Sequence, residues 1–202
     1  MKDVTSTKSK IQTTALRLFV EKGINEATIR DLAREAGIAE GTIYRHYVSK
    51  EELVSDLFEL NYFAYGRRLN ELQEKESGFR AKLRVMIADI CRLFDTDPTM
   101  FRFLLLVQHQ ALPTLPKSPE SPVDVLRKVV AEAVKFRELR IKNADLATAI
   151  VLGIVLQPAT FAIYERLSGS LSRHATAITE ACLRALQAEG RYDRRQQTRG
   201  SE

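Results

Sequence analysis

Apolar residues recur at intervals of three and four along almost all of this 202-residue chain, and glycine and proline fall mainly at the breaks between such stretches. That spacing lines up side chains on one face of an α-helix. Period-two alternation, the mark of a half-buried strand, is absent over any useful length. The pattern predicts an all-α chain of about nine helices, with no internal repeat and no long low-complexity tract.

The first stripe is Ile11, Ala15, Leu18 and Phe19, on a helix that Gly23 stops. Thr28 is a good N-cap, with Asp31 three residues on in capping-box style, for a second helix that ends at Gly37. A short third segment spans about 39–46. Ser49 caps a fourth helix with Glu51 and Glu52 in its first turn, running to about Glu74. Helix five covers 79–94. Helix six follows Asp97-Pro98 and runs to Ala111. LPTLPKSPESP, with four prolines in eleven residues, is a loop. Ser121-Pro122 starts helix seven, to about Glu138, and Asn143 caps an apolar helix eight, to about Leu167. Ser170 or Ser172 begins helix nine, to Ala188, and residues 189–202 read as a polar, disordered tail.

Composition narrows the class. Hydrophobic residues make up 45 %, enough for a packed core. The longest apolar run, Ala147 to Leu156, is broken by Thr148 and Gly153 and is shorter than the roughly 20 residues of a membrane span. The polar start MKDVTSTKSK has no signal-peptide core. A soluble, cytoplasmic protein is the expectation. Cys91 and Cys182 form neither a disulfide framework nor a zinc pattern and read as small buried hydrophobes. The net charge is +5, of which +3 lies in residues 1–50, with nine Lys/Arg against six Asp/Glu. A basic first quarter suits a polyanionic partner, and equally a solvated surface.

The informative stretch is ATIRDLAREAGIAEGTIYRHYVSKEEL, Ala27 to Leu53. Two short helices flank a glycine-containing turn, the helix-turn-helix arrangement. Leu32, Ala33, Ile38, Ile43 and Tyr47 would face the core. The opposite face carries Glu40, Gly41, Thr42, Tyr44, Arg45 and His46. The N-terminal residues of such a second helix reach base edges. Gly41 permits close approach. Thr42 can hydrogen-bond a base or touch a thymine methyl, and Arg45 can pair with guanine or phosphate. Tyr44 suits a phosphate oxygen, Lys50 adds charge at the next helix start, and Arg30 could reach base or backbone. His46 is open between a phosphate contact and local packing. Lys8 and Lys10 are open between backbone contacts and a solvated arm.

These residues resemble the DNA-binding domain of the TetR/AcrR family of bacterial transcriptional regulators. The matching strings are ALRLFVEKG from Ala15, the T-x-x-D-L-A-x-x-A-G run from Thr28 to Gly37, and G-T-I-Y-x-H-Y-x-S-K-E-E-L from Gly41 to Leu53. The resemblance covers the first quarter of the chain and implies a three-helix DNA-binding domain over 1–50. Residues 51–188 would form a helical ligand-binding and dimerisation domain within an Ω-shaped homodimer. It further implies a repressor that binds a pseudo-palindromic operator and is released by a small molecule, with activation as the other direction. Arg30, Gly41, Thr42, Tyr44, His46 and Lys50 match positions that touch DNA in family members; Arg45 and Glu40 are less fixed.

Beyond residue 50 the residues specify less. Phe94, Phe101, Phe103, Leu104, Val107 and Phe161, with Gln108, His109 and Gln157 among them, could line a pocket for a largely apolar organic ligand or form packed core. Pro158 should kink helix eight. Helices eight and nine, with Ile150 and Ile154, then Ile178, Ala181, Cys182 and Ala185, would form an isologous dimer interface. No cofactor and no metal is expected. The histidines His46, His109 and His174 lack paired ligand spacing, and no nucleophile-elbow, Walker or dinucleotide fingerprint is present. An enzyme using the apolar cavity and a protein-binding helical module are the rival classes.

Overall fold

The computed structural model describes residues 4–111 and 118–196. Among these residues there are nine α-helices and no strand: α1 (Val4–Lys22), α2 (Ile29–Ala36), α3 (Glu40–Tyr44), α4 (Lys50–Gln73), α5 (Phe79–Thr96), α6 (Pro98–Ala111), α7 (Pro122–Lys135), α8 (Ala144–Ile163) and α9 (Ala175–Gln196). A 3-10 turn, Leu171–His174, precedes α9. Most of the proline-rich loop lies outside the described residues.

The helices pack as two units. The first holds the described residues up to Tyr62, together with α6; the second holds Phe63–Thr96 and the described residues from Ser118 onward. This differs from a division at residue 50. α4 is one continuous helix shared between the units, and α6 packs on α1 in the first.

In the first unit the predicted stripe is the core: Ile11, Ala15, Leu18 and Phe19 are each at most 2 % exposed. Phe19 stacks on Phe103 of α6, with ring centroids 6.5 Å apart. α2 starts with a complete capping box, the Asp31 amide donating to Thr28 Oγ1 at 3.0 Å. It ends at Gly37, whose φ of 60° is the left-handed conformation that a Cβ opposes. The Ile38 amide closes that turn on the Ala33 carbonyl at 3.0 Å.

In the second unit α5 packs against α7, α8 and α9, and α8 packs against α7 and α9. The inner stripe of α8 is Ala147, Val151, Val155 and Ala159, all buried, and its small residues let helices approach closely. Two carboxylates cap helices here. Glu138 accepts from the Phe79 amide at 2.8 Å, at the start of α5. Asp95 accepts from the amides of Leu171 and Ser172 at 2.7 and 2.9 Å. Asp89, 4 % exposed, lies beneath Arg68 and Arg92 and accepts from both. Cys91 and Cys182 are buried and free, and burial pushes both thiols up to about 11.

Several boundaries differ from the sequence expectation. α7 and α8 end earlier, because Arg137 and Glu165 take left-handed conformations, φ 60° and 57°, that only glycine or asparagine would advertise. α8 runs unbroken through Pro158. α9 continues to Gln196, so residues 189–196 are helical rather than a disordered tail; residues 197–202 lie outside the described set. α8 also has a mean hydropathy of 2.0 over a window long enough to cross a membrane, which the interruptions at Thr148 and Gly153 obscured. It contributes to the core of the second unit through one face.

Candidate nucleic-acid interface

The helix-turn-helix is α2, the Gly37 turn and α3. Its inner face is Leu32, Ala33, Ala36, Ile43 and Tyr47, each at most 4 % exposed; Ile38 is half-buried. Tyr47 anchors the segment to α1 and α4. Its hydroxyl donates to Asp56 Oδ2 at 2.8 Å. Gln12 Nε2 donates to the Tyr47 oxygen at 3.1 Å and to Asp56 Oδ2 at 3.2 Å. Lys8 pairs with Asp56 at 3.2 Å and lies 5.3 Å from the Tyr47 ring centroid. Burial and the Asp56 carboxylate push the Tyr47 phenol well above its ordinary value. Burial alone would raise Asp56, but the hydrogen bonds from Tyr47, Lys8 and Gln12 overcome it and hold the carboxyl below the usual range.

The outer face is open. Arg30, Glu40, Gly41, Tyr44 and Arg45 are exposed, Tyr44 by 51 %; Thr42 and His46 are half-buried. Arg45 Nη2 donates to Thr42 Oγ1 at 3.2 Å, one helical turn back, which joins the two residues best suited to read base edges. A Cβ on Gly41 would meet nothing within 4 Å, so its space is free in the protein itself. Asp31 holds Arg34 at 2.6 Å and Lys22 at 3.3 Å. The hydrogen bond from Thr28 and then that from Lys22 lower its pKa to about 2, so the capping carboxylate stays ionised at neutral pH.

Two features were missed in the sequence. Val48, in the turn after α3, is 81 % exposed, and its amide donates to Glu52 Oε2 at 2.6 Å. Glu52 in turn donates its own amide to Ser49 Oγ at 3.1 Å, a cap of the kind that S-x-x-E signals. The second concerns Lys50. Its ammonium donates to the carbonyl oxygens of Ile24, Asn25 and Ala27 at 2.9, 3.2 and 3.0 Å. A residue assigned to DNA is engaged inside the protein.

The profile of the bacterial regulatory proteins of the tetR family matches residues 11–57. Those residues resemble the DNA-binding domain that defines the family. The chain is 41 % identical over 54 residues to the HTH-type transcriptional repressor KstR2 of Mycobacterium tuberculosis. That segment is 27 % of either chain, so the match spans about a quarter of the relative's length. The fold likeness extends further. FadR of Bacillus halodurans, a fatty acid degradation regulator, superposes with a TM-score of 0.74 at 18 % identity, over 90 % of this chain and 97 % of that one. FadR of Bacillus subtilis, solved with stearoyl-CoA, gives 0.71 at 18 % identity, over 86 % and 96 %. The whole tetR-like helical architecture is thus shared, including the part outside the matched domain.

The remaining predicted site residues divide between the two units. Phe101 and Val107 of α6 are buried core of the first unit, and Leu104 and Gln108 beside them are half-buried. Phe94 of α5 is half-buried in the second. Gln157 and Phe161 are exposed, on the same outer stripe of α8 as Ile150 and Ile154, so they face away from the core that α8 helps to form. The side chain of His109 lies outside the described set. Of the expected dimer residues, Ile178 and Cys182 are 6 % and 0 % exposed within the single chain; α9 spends that face on its own core. Ala181 and Ala185 remain half-exposed. An open groove of about 540 Å³ runs along α7 between Ser118 and Lys135, and none of the expected pocket residues lines it.

Proposed function

We propose that this chain is a ligand-responsive transcriptional regulator that binds a pseudo-palindromic DNA operator as a homodimer. The observation that carries the reading is the outer face of α3. Gly41, Tyr44 and Arg45 stand exposed, with Thr42 half-buried among them, on a segment whose inner side, Ile43 and Tyr47, is buried and tied to α1 and α4. A rigid scaffold presenting base-reading groups is what direct readout needs. Arg30 and His46 flank that face as further contacts. Phosphate contacts supply most of the affinity, which then falls steeply with salt. Repression is the direction named for KstR2.

The second copy docks on the outer stripe of α8, formed by Leu146, Ile150, Gly153, Ile154, Gln157 and Phe161, with Ala177, Ala181 and Ala185 of α9 beside it. Only 28 % of the apolar window in α8 is buried within one chain, and an isologous contact would cover the rest. The effector is a small, largely apolar organic molecule. The shared architecture with a FadR that binds stearoyl-CoA supports that class. Release follows from the ligand's higher affinity for a dimer arrangement that does not fit the operator. The regulator acts in the cytoplasm, on the nucleoid.

The test is a fluorescence-anisotropy titration of the full chain against the duplex upstream of its own gene, with an unrelated duplex at the same salt. Tight binding to the first alone, abolished in Tyr44→Ala, is expected. Equal, salt-sensitive binding to both duplexes and to all sequences selected from a random pool would overturn the reading.

A further inference from the structure

Lys50 begins α4, 23 to 26 residues after the residues it bonds in the turn that joins α1 to α2. Its ammonium carries three N–H donors, and three backbone oxygens of that turn receive them: Ile24, Asn25 and Ala27, at 2.9, 3.2 and 3.0 Å. The donor capacity of the group is therefore filled. The turn itself is constrained. Gly23 holds φ 87°, the Ala27 amide returns to the Gly23 carbonyl at 3.1 Å, and Ala27 is fully buried. Thr28, the N-cap of α2, follows at once.

The bond from Lys50 to Ala27 closes a loop, and that loop contains the whole of α2, the Gly37 turn and α3. At the other side of the same segment, Tyr47 is held by Asp56 and Gln12. The two-helix motif is thus pinned at its entrance by Lys50 and at its exit by Tyr47. A lysine on the DNA side of a helix start would ordinarily be assigned to phosphate. To reach one, this lysine would have to give up three charge-assisted hydrogen bonds and loosen the entrance to α2.

We propose that Lys50 is a positioning residue that latches the α1–α2 turn to the start of α4, and that it acts on DNA affinity through the orientation of α3 rather than by neutralising a phosphate. The proposal rests on the DNA-binding reading above. Two variants of the full chain separate the alternatives, Lys50→Met and Lys50→Arg. The probe is a duplex carrying the tightest sequence from the upstream region or the random pool, titrated from about 50 to 300 mM salt. A lost phosphate contact lowers the slope of log affinity against log salt by about one. The latch predicts an unchanged slope, with affinity reduced by the same factor at every salt, on the order of tenfold. Arginine keeps the charge but offers a planar fork to three convergent oxygens, so the latch also predicts no rescue in Lys50→Arg. A slope reduced by one in Lys50→Met, with rescue by arginine, would overturn the proposal.

Amide exchange in the absence of DNA gives the second readout. In Lys50→Met the amides of Ala27, Asp31 and Leu32 should exchange about ten times faster or more, while those of α5 and α8 keep their protection. Unchanged exchange at the three amides overturns the latch even if no duplex is bound. A failure of the parent chain to bind any duplex, with accelerated exchange in the variant, removes the regulatory reading and leaves the latch standing.

Discussion

Replacing Gly66 by alanine should destabilise the chain, against the usual effect of that change in a helix. In a helix interior alanine is favoured over glycine by about 1 kcal/mol. At Gly66 of α4 the added Cβ would lie 1.7 Å from the Glu120 carbonyl oxygen, 2.8 Å from its carbon and 2.9 Å from the Pro122 nitrogen. All three are backbone atoms, so no side chain can swing aside. Restoring even a 3.0 Å contact requires α4 or the 118–121 turn to move by about 1.3 Å. The turn is held on its far side by Ser121, 6 % exposed, whose Oγ accepts from the Asp124 amide at 3.0 Å. Beside it, Arg67 pairs with Glu120 at 2.8 Å. Forced backbone shifts of this kind cost about 1–3 kcal/mol, sometimes more. The anchors at Ser121 and Pro122 place this one at the upper end. After subtracting the helix preference, the net loss is about 2 kcal/mol. For a chain of this length that lowers Tm by roughly 4–8 °C. Urea and thermal unfolding of Gly66→Ala would be compared with Gly41→Ala, where the methyl group meets nothing. A Gly66→Ala chain as stable as the parent, or more stable, would refute the close approach of α4 to the turn.

Gly41→Ala itself should unfold no lower than the parent and up to about 4 °C higher, since its Cβ is unobstructed, yet bind the operator duplex at least about tenfold more weakly, because the methyl group would stand on the face proposed to meet the duplex. Anisotropy and circular dichroism on one preparation measure both. Asp95→Asn should lower stability at pH 7. Burial raises Asp95, but its hydrogen bonds from Ser172 and Leu171 win and hold its folded pKa below the ordinary value. The carboxylate therefore contributes fully above the unfolded pKa of about 4 and progressively less as pH falls through the lower folded value, so the urea midpoints of parent and variant should converge as pH falls below about 4. Ile154→Glu, on the outer stripe of α8, should shift the mass in light scattering from dimer to monomer and leave the helical signal intact; a dimer that survives the change would move the interface elsewhere.

The helix-turn-helix was legible because each of its determinants is local. Thr28 with Asp31 starts α2, Gly37 stops it, and Leu32, Ala33, Ala36 and Ile43 fall where a helical period puts the core. What was not legible involves partners that no side-chain pattern announces. The acceptors of Lys50 are backbone carbonyls about 25 residues away, so its letter reads as charge available for DNA. Gly66 reads as a weak point in a helix, because the atom it makes room for, the Glu120 carbonyl oxygen, belongs to a distant turn. Arg137 and Glu165 end helices in a conformation that their side chains do not favour; the amides of Glu138 and Arg166 close those turns on the Ala133 and Phe161 carbonyls, both at 2.8 Å, so the boundaries do not follow from their own propensity.

Helix α9 shows why the interface residues divided as they did. Ile178, Cys182 and Leu186 lie at i, i+4 and i+8, and Ala177, Ala181 and Ala185 form a second stripe one residue back. Both stripes are apolar or small, and periodicity alone cannot say which one meets the chain's own core. The structure turns the larger residues inward, against the neighbouring α5 and α8, and leaves the alanines at the surface. α8 does the opposite: Ala147, Val151, Val155 and Ala159 are buried, while the larger Ile150 and Ile154 are half-buried on the outer side. For α8 the larger aliphatic residues are therefore the less covered ones, which reverses the arrangement a monomer would favour. In the proposed dimer, the alanines of α9 and the isoleucines of α8 would give an isologous partner both small and large residues to pack against. This size pattern, rather than apolarity by itself, is the physical ground for placing the second copy there.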